Sequence, residues 1–334
     1  MHATRILTLA LAAVVSQTVA CADDFYQGKT ISIVVGYSAG GGYDINARLI
    51  SRHLGRFISG APNIVVVNMP GAGSLRSVEH LERHAPRDGT VINMFDYTQI
   101  TNSLLTPDKV PVDFRKFKWI GSVAQDLAVC YVWHTINAKT IADLQRLPKI
   151  HMGRTNAGTS SDTQQRILRK LFNVNVHSVA GYAGSAEAFI AVERGELEGG
   201  CMTWASLPPH WISGSKITPI MRVTSATAPD LPASVPSAFD LLDGDKDRKV
   251  LRALSAAGEV GKPLVLQLSV PEERVQILRN AFAAMMKDPA FLADADKTRQ
   301  NVSPTIGDAA VKIVDEIYAS PADVVDAARA IAND

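Results

Sequence analysis

The segment Ile31-Ser-Ile-Val-Val-Gly-Tyr-Ser-Ala-Gly-Gly-Gly-Tyr-Asp-Ile-Asn-Ala-Arg-Leu-Ile50 constrains the fold more than any other part of the chain. Ile31 to Val35 is a short β-branched run bounded by turn residues, the pattern of a buried strand. Gly40, Gly41 and Gly42 allow a sharp turn and a close backbone approach to a ligand. From about Tyr43 the apolar residues Ile45, Leu49 and Ile50 return at helical spacing. A helix that opens on such a turn aims free N–H groups and its positive dipole end at the strand's carboxyl end, where an anion can sit. No lysine or arginine lies between Ile31 and Ala47, so the backbone itself would have to hold that anion.

Strand-like and helix-like stretches continue to alternate. Ile64 to Val67, Thr90 to Phe95, Leu127 to Trp133, Ile150 to Gly153, Val174 to Val179 and Leu197 to Thr203 read as strands. Helical spacing follows Leu75, spans Ile141 to Leu147, and carries Ile167, Leu168, Leu171 and Phe172. This alternation predicts an α/β class with mostly parallel sheets flanked by helices. The last part is helical: Pro271 fits the first turn of a helix reaching about Lys287, and Ala309 to Tyr318 and Ala322 to Ala332 are separated by Pro321. With 334 residues the chain is long for one core and favours two domains.

The first residues read as an export signal. Arg5 is followed by an apolar run, Ile6 to Val15, too short to span a bilayer, and Ala20-Cys-Ala22 fits a small-x-small cleavage site. The expected mature chain begins at Asp23, in the periplasm; lipidation of Cys21 is the less favoured alternative, because Thr18 stands where leucine is usual. The 34 basic and 33 acidic side chains balance, which argues against a nucleic-acid partner. Cys130 and Cys201 lie in apolar, strand-like runs, and two buried free thiols are the expected state, although an oxidising compartment would permit a disulfide.

Two loops share one design. Tyr37-Ser-Ala-Gly-Gly-Gly42 and Thr155-Asn-Ala-Gly-Thr-Ser-Ser161 each follow a strand, open a helix, and mix glycine with hydroxyl or amide side chains. Ligands of open α/β sheets sit beyond the carboxyl ends of strands. Two such loops in two lobes would face one another across a cleft and form a shared anion pocket. Other motifs carry less. Gly36-Tyr-Ser-Ala-Gly40 matches a hydrolase nucleophile elbow, with His151, His177 or His210 as possible bases, but no earlier strand and loop supplies the oxyanion donor. Gly71-Ala-Gly-Ser-Leu-Arg76 has arginine in place of the third glycine of a dinucleotide fingerprint. His80 and His84 match neither common zinc arrangement. No catalytic residue, metal or cofactor is expected.

The sequence resembles the Bug-type receptors of tripartite tricarboxylate transporters. The resemblance rests on Val34 to Arg48, on Asn68-Met-Pro-Gly-Ala-Gly-Ser74, on Ala85-Pro-Arg-Asp-Gly-Thr90, on Gly158-Thr-Ser-Ser161 and on Gly181-Tyr-Ala-Gly-Ser-Ala-Glu187. It covers about Asp24 to Leu231. It implies a type II, two-lobed periplasmic binding protein that closes on a small-molecule carboxylate, acts as a monomer and serves membrane transporter subunits. Family ligands include citrate, small dicarboxylates, amino acids and aromatic acids. Carried over by position, the carboxylate contacts are Tyr37, Ser38, Ala39, Gly40 and Gly41 from one lobe, and Asn156, Ala157, Gly158, Thr159 and Ser161 from the other. Three residues depart from the family pattern: Asp162 stands where histidine is common, Asp96 lies in a loop that is usually uncharged, and Arg154 is not typical.

The expected division is residues 23–121 and 227–334 in the first lobe and 122–226 in the second, with 1–22 as the signal. Asp96, Tyr97, Arg154, Asp162, Tyr182 and Trp204 are candidates for selectivity at the far end of the cleft. Among them Arg154 is favoured as an anchor for a second carboxylate, through its planar fork, with Asp96 either binding a ligand donor or pairing with Arg154. The function expected is that of a carboxylate receptor. A secreted serine esterase built on Ser38 and a ligand sensor for a signalling partner are the alternatives.

Overall fold

A computed structural model describes residues 25–224 and 226–333; the expected signal segment and Cys21 lie outside them. The chain runs β1 (Thr30–Val35), α1 (Gly42–His53), β2 (Asn63–Asn68), α2 (Leu75–Arg83), β3 (Val91–Met94), α3 (Thr98–Leu105) and β4 (Lys118–Ser122). It continues as β5 (Ala128–Trp133), α4 (Ile141–Arg146), β6 (Ile150–Gly153), α5 (Ser160–Leu171), β7 (Val176–Val179), α6 (Ser185–Glu193), β8 (Gly199–Thr203), α7 (Pro209–Ser213) and β9 (Ile217–Arg222). The last part is α8 (Asp245–Ser255), β10 (Pro263–Leu266), α9 (Glu272–Met285), α10 (Pro289–Lys297), β11 (Thr305–Ile306), α11 (Asp308–Tyr318) and α12 (Ala322–Ala332).

These strands form two sheets, ordered β2-β1-β3-β10-β4-β11 and β7-β6-β8-β5-β9. The two orders correspond. In each, the first strand of a strand–helix run lies between the second and third, and the strand reached just after a crossing is inserted next to the third. That inserted strand is β5 on entry to the second sheet and β10 on return to the first. Both are antiparallel to their neighbours, whereas β1–β2, β1–β3, β6–β7 and β6–β8 are parallel. The sheets are therefore mixed, with less parallel pairing than the strand–helix alternation implies. The crossing strands enter from the other lobe and so lack the helical crossover that parallel pairing needs.

Both faces of each sheet are covered. Ile31, Ile33 and Val35 are fully buried and Val34 nearly so, which accounts for the unbroken apolar run of β1. On one face β1 packs with Leu49 and Ile50 of α1 and Leu278 and Phe282 of α9. In the second sheet Cys130, Met152 and Cys201 pack with Ile167 and Leu168 of α5. Leu251 and Leu254 of α8 and Val325 and Ala328 of α12 join that same cluster. Residues 227–334 thus do not all side with the first sheet, as the sequence division assumed. The apolar stripes of α8 and α12 are evident in the sequence, but a stripe does not say which sheet it will cover. Pro271 also shifts slightly from its expected role, standing as the N-cap of α9.

Cys130 and Cys201 form a disulfide, not the two free thiols expected. They are direct register partners in the antiparallel β5–β8 pair, with Cα atoms 4.0 Å apart. Their apolar surroundings were legible from sequence. Their pairing depends on strand order, which places β5 beside β8 across 71 residues of chain.

Candidate functional site

A cavity of ≈ 40 Å³ lies between the lobes, beyond the carboxyl ends of β1, β6 and β8. It is large enough for a few waters or a very small organic anion. The starts of three helices converge on it: Gly41, Gly42 and Tyr43 at α1, Ser160 and Ser161 at α5, and Ser185 at α6. Tyr37, Thr155, Thr203 and Ser206 add further hydroxyls, and Met202 is the apolar member of the wall. No charged side chain lines it. The first N–H groups of a helix have no intrahelical acceptor, and three positive dipole ends favour one anion here.

The two glycine loops are built alike beyond what the loop sequences alone suggested. Gly40 and Gly158 both adopt left-handed backbone, at φ +82° and +75°. Each donates its N–H to an aspartate four residues on, Gly40 to Asp44 Oδ2 at 2.9 Å and Gly158 to Asp162 Oδ2 at 2.8 Å. Each aspartate then pairs with an arginine one further turn along, Arg48 Nε and Arg166 Nε, both at 2.8 Å. Ala-Gly-x3-Asp-x3-Arg is therefore present twice, at Ala39 to Arg48 and at Ala157 to Arg166. The carboxylate closes the loop onto the first turn and the arginine neutralises it, leaving the later N–H groups for a ligand. Burial alone would raise the Asp44 carboxyl, yet hydrogen bonds from Arg48, the Gly40 N–H and Asn68 hold it below the usual carboxylate range.

The second oxygens of the two aspartates differ in partner. Asp44 Oδ1 accepts from Asn68 at 2.9 Å. Asp162 Oδ1 faces Arg154 Nη1 at 2.9 Å, an ion pair whose geometry is not that of a hydrogen bond. Two of the three unusual residues, Asp162 and Arg154, are thus partners to one another. Arg154 does not line the cavity.

Asp96 behaves otherwise. It is fully buried and reaches across the cleft from the end of β3. Its Oδ2 accepts from Tyr37 at 2.5 Å and from the N–H and hydroxyl of Ser160, the first residue of α5, at 3.1 and 2.9 Å. Its Oδ1 accepts from the Thr98 N–H at 2.9 Å and lies 2.6 Å from the Thr98 hydroxyl. Thr98 and Asn102 of α3 also reach the Gly158 carbonyl, at 2.9 and 2.5 Å, so β3 and α3 latch onto the second loop. Burial first, and the Asp96 charge second, push the Tyr37 hydroxyl well above its ordinary pKa and keep it a donor.

Beside this lies a second buried network. Asp126 accepts from Tyr97 at 2.7 Å and Thr203 at 2.5 Å, and Lys262 Nζ is 3.4 Å away. Lys262 also sits 4.3 Å over the Tyr43 ring. Asp126 and Lys262 belong to the two segments that join the sheets. Burial raises the Tyr43 and Tyr97 hydroxyls well above their ordinary values, with Asp96 and Asp126 adding to the effect.

Of the residues expected at the carboxylate, Tyr37, Gly41 and Ser161 line the cavity. The Ser38 Oγ is buried without a hydrogen-bond partner among the described residues, and its N–H donates to Ala183 at 3.3 Å. Thr159 is buried and turned inward onto Asn156. Ala39 and Gly40 are exposed, and Asn156, Ala157 and Gly158 line a separate hollow beside Arg166 and Ala332. Tyr182 packs against the second lobe's core, and Trp204 donates to Asp230 at 2.8 Å and lines a larger cavity of ≈ 590 Å³. Gly42, Thr155 and Ser160 belong to the two expected loops without having been named as contacts, and Tyr43, Ser185, Met202, Thr203 and Ser206 were not anticipated. Those at the starts of α1 and α5 follow from the two loops, Ser185 opens α6 outside them, and those at and after the end of β8 follow from the rule that ligands sit beyond carboxyl strand ends.

The histidines that a hydrolase would require are occupied elsewhere. His151 faces Glu198 at 3.1 Å with His177 stacked edge-on against it, and His210 faces Glu193 at 2.9 Å. Among the described residues there is no cluster of three or more metal-ligating side chains, and no helix is long and apolar enough to cross a membrane.

Comparison with known proteins places this geometry. No family model matches the chain. An Agrobacterium vitis protein described as the UPF0065 protein in the TAR-I ttuE-ttuC' intergenic region is 22% identical over 322 residues, covering 90% of this chain and 91% of that protein. The periplasmic binding protein BugD superposes with a TM-score of 0.74 at 18% identity, over 92% of this chain and 98% of BugD. MatC from Rhodopseudomonas palustris with bound malate gives 0.72 at 18% identity, over 89% and 99% of the two chains. A second R. palustris protein, with adipate, gives 0.72 at 18% identity, over 90% and 97%. The chain is a homologue of the UPF0065 protein, and its fold is that of the Bug-type periplasmic binding proteins.

Proposed function

We propose that this protein is an extracytoplasmic solute receptor that holds a small carboxylate between its two lobes and delivers it to the membrane subunits of a tripartite tricarboxylate-type transporter. The observation that carries the proposal is the convergence of three helix starts on one hydroxyl-lined, uncharged cavity in the cleft. Such a site binds negative charge through dipoles and hydrogen bonds without a dedicated cation. Malate in MatC and adipate in its R. palustris relative, both carboxylates held on the same fold, support the reading. So does the expected export signal.

The test is a thermal-shift screen of the purified protein against small carboxylic acids, followed by calorimetry. A ligand that binds only the folded state raises Tm by mass action. Hits are expected among free acids, and their methyl esters should bind far more weakly, because an ester brings no full charge to the helix ends. Equal affinity for an acid and its ester, or no acid among the hits, would refute the carboxylate reading.

A further inference from the structure

We propose that Asp96 is a built-in carboxylate that fills the α5 half of the site, so that the receptor selects small monocarboxylates and rejects diacids. This rests on the carboxylate reading above and narrows it. Asp96 is held as a bound anion would be, by the Ser160 N–H at the start of α5 and by the hydroxyls of Ser160 and Tyr37. Its carboxylate lies directly behind the cavity wall, bonded to Tyr37 and Ser160, which both line it. A helix start that already carries a carboxylate has little left to offer a second one.

The cations nearby are also answered. Lys262 is shared between Asp126 and the Tyr43 ring. Arg154 and Arg166 face Asp162, and Arg48 faces Asp44. A diacid would therefore bring its second charge into a cavity lined by no cation and with the Asp96 carboxylate directly behind its wall. Like charges brought together in a low-dielectric site repel strongly. The remaining wall is made of hydroxyls, which suit the carboxylate, hydroxyl or short neutral tail of a single small acid. The ≈ 40 Å³ volume points the same way.

The experiment titrates the unmodified protein with matched pairs by calorimetry: lactate and 2-hydroxybutanoate against malate, and propanoate against succinate. Each diacid is expected to bind on the order of a hundredfold more weakly than its monoacid. Asp96→Asn removes the charge while keeping the shape, and is expected to raise the diacid-to-monoacid affinity ratio at least about tenfold. Diacids that bind the unmodified protein as tightly as the monoacids would overturn the role of Asp96 while leaving the receptor function standing. Binding of neither set, with no hit in the wider acid screen, would overturn both. The unmodified-protein arm decides even if Asp96→Asn fails to fold.

Discussion

Reduction of the Cys130–Cys201 bridge should cost this protein a large part of its stability. The bridge closes a loop across 71 residues and pins β5, the strand that enters the second sheet, to β8, the strand that ends at Thr203 in the cavity wall. In the chain-entropy account a closed loop of that length removes enough freedom from the unfolded chain to be worth about 4.4 kcal/mol at 25 °C. Native-state strain and residual unfolded structure usually reduce the figure, so about 3 to 4 kcal/mol is expected. For a chain of this size that corresponds to a fall in Tm of roughly 5 to 6 °C. The assay is calorimetry or far-ultraviolet circular dichroism of oxidised and fully reduced protein, with complete reduction verified by alkylation and mass. A peptide map of unreduced protein should recover Cys130 and Cys201 in one linked pair. A reduced sample that melts within about 2 °C of the oxidised one would refute the argument, as would a map in which both cysteines take the alkylating label.

Two other perturbations test the site and its supports. Ser38→Ala should weaken carboxylate binding by at most about fivefold, the worth of one hydrogen bond, because the Ser38 Oγ is buried beside the first loop with no hydrogen-bond partner among the described residues. The unmodified protein should take no fluorophosphonate label, and stoichiometric labelling at Ser38 would instead revive the esterase reading. Acid should destabilise the protein partly through Asp44, whose carboxyl is held below its ordinary value by Arg48, Gly40 and Asn68 against the opposing effect of burial. The unfolded carboxyl, at about 3.9, binds a proton before the folded one does. This contribution is therefore full above roughly pH 5 and lost as pH falls through 3.9 toward the lower folded value. Urea midpoints measured from pH 6 to pH 3 should fall, and Asp44→Asn should flatten part of the slope; an equally steep slope in the variant would remove Asp44 from the account.

The sequence carried the first half of each lobe well and the second half poorly, for a physical reason. β1, β2, β3 and the helices after them obey one local rule, an apolar run followed by a turn and an amphipathic stretch, and that rule needs no knowledge of partners. β10 and β9 are not legible in this way because the pairing of each comes from a distant strand, β10 lying between β3 and β4 and β9 beside β5. The site was legible at the level of loops and not of atoms. The two glycine turns named the right places, but the groups that line the cavity flank the glycines that make the bend: Tyr37 and Gly41 to Tyr43 around Gly40, and Thr155, Ser160 and Ser161 around Gly158. Asp162 and Arg154 each looked unusual alone. Only the repeated Ala-Gly-x3-Asp-x3-Arg pattern shows that Asp162 is the counterpart of Asp44, and only the fold shows that Arg154 answers it as Asn68 answers Asp44.

The near-equivalence of the lobes also says in which direction a ligand can lengthen. In corresponding sheets the third strand of each run, β3 and β8, ends at the cleft. After β3 stands Asp96, which crosses over and blocks the α5 side. After β8 stands Trp204, which turns away to Asp230 and leaves space behind Thr203. Thr203 borders both the ≈ 40 Å³ cavity and the ≈ 590 Å³ one, and so forms the partition between them. The larger space holds Lys262 and Arg299, but Lys262 is shared with Asp126 and Arg299 lies 2.5 Å from Asp230, so both of its cations are already paired. A longer acid must therefore extend past Thr203 with a neutral tail. In a straight-chain series from propanoate to octanoate, affinity should fall where the tail first meets Thr203. Thr203→Ala should shift that break toward longer acids. A break at the same length in both proteins would place the open end of the site elsewhere.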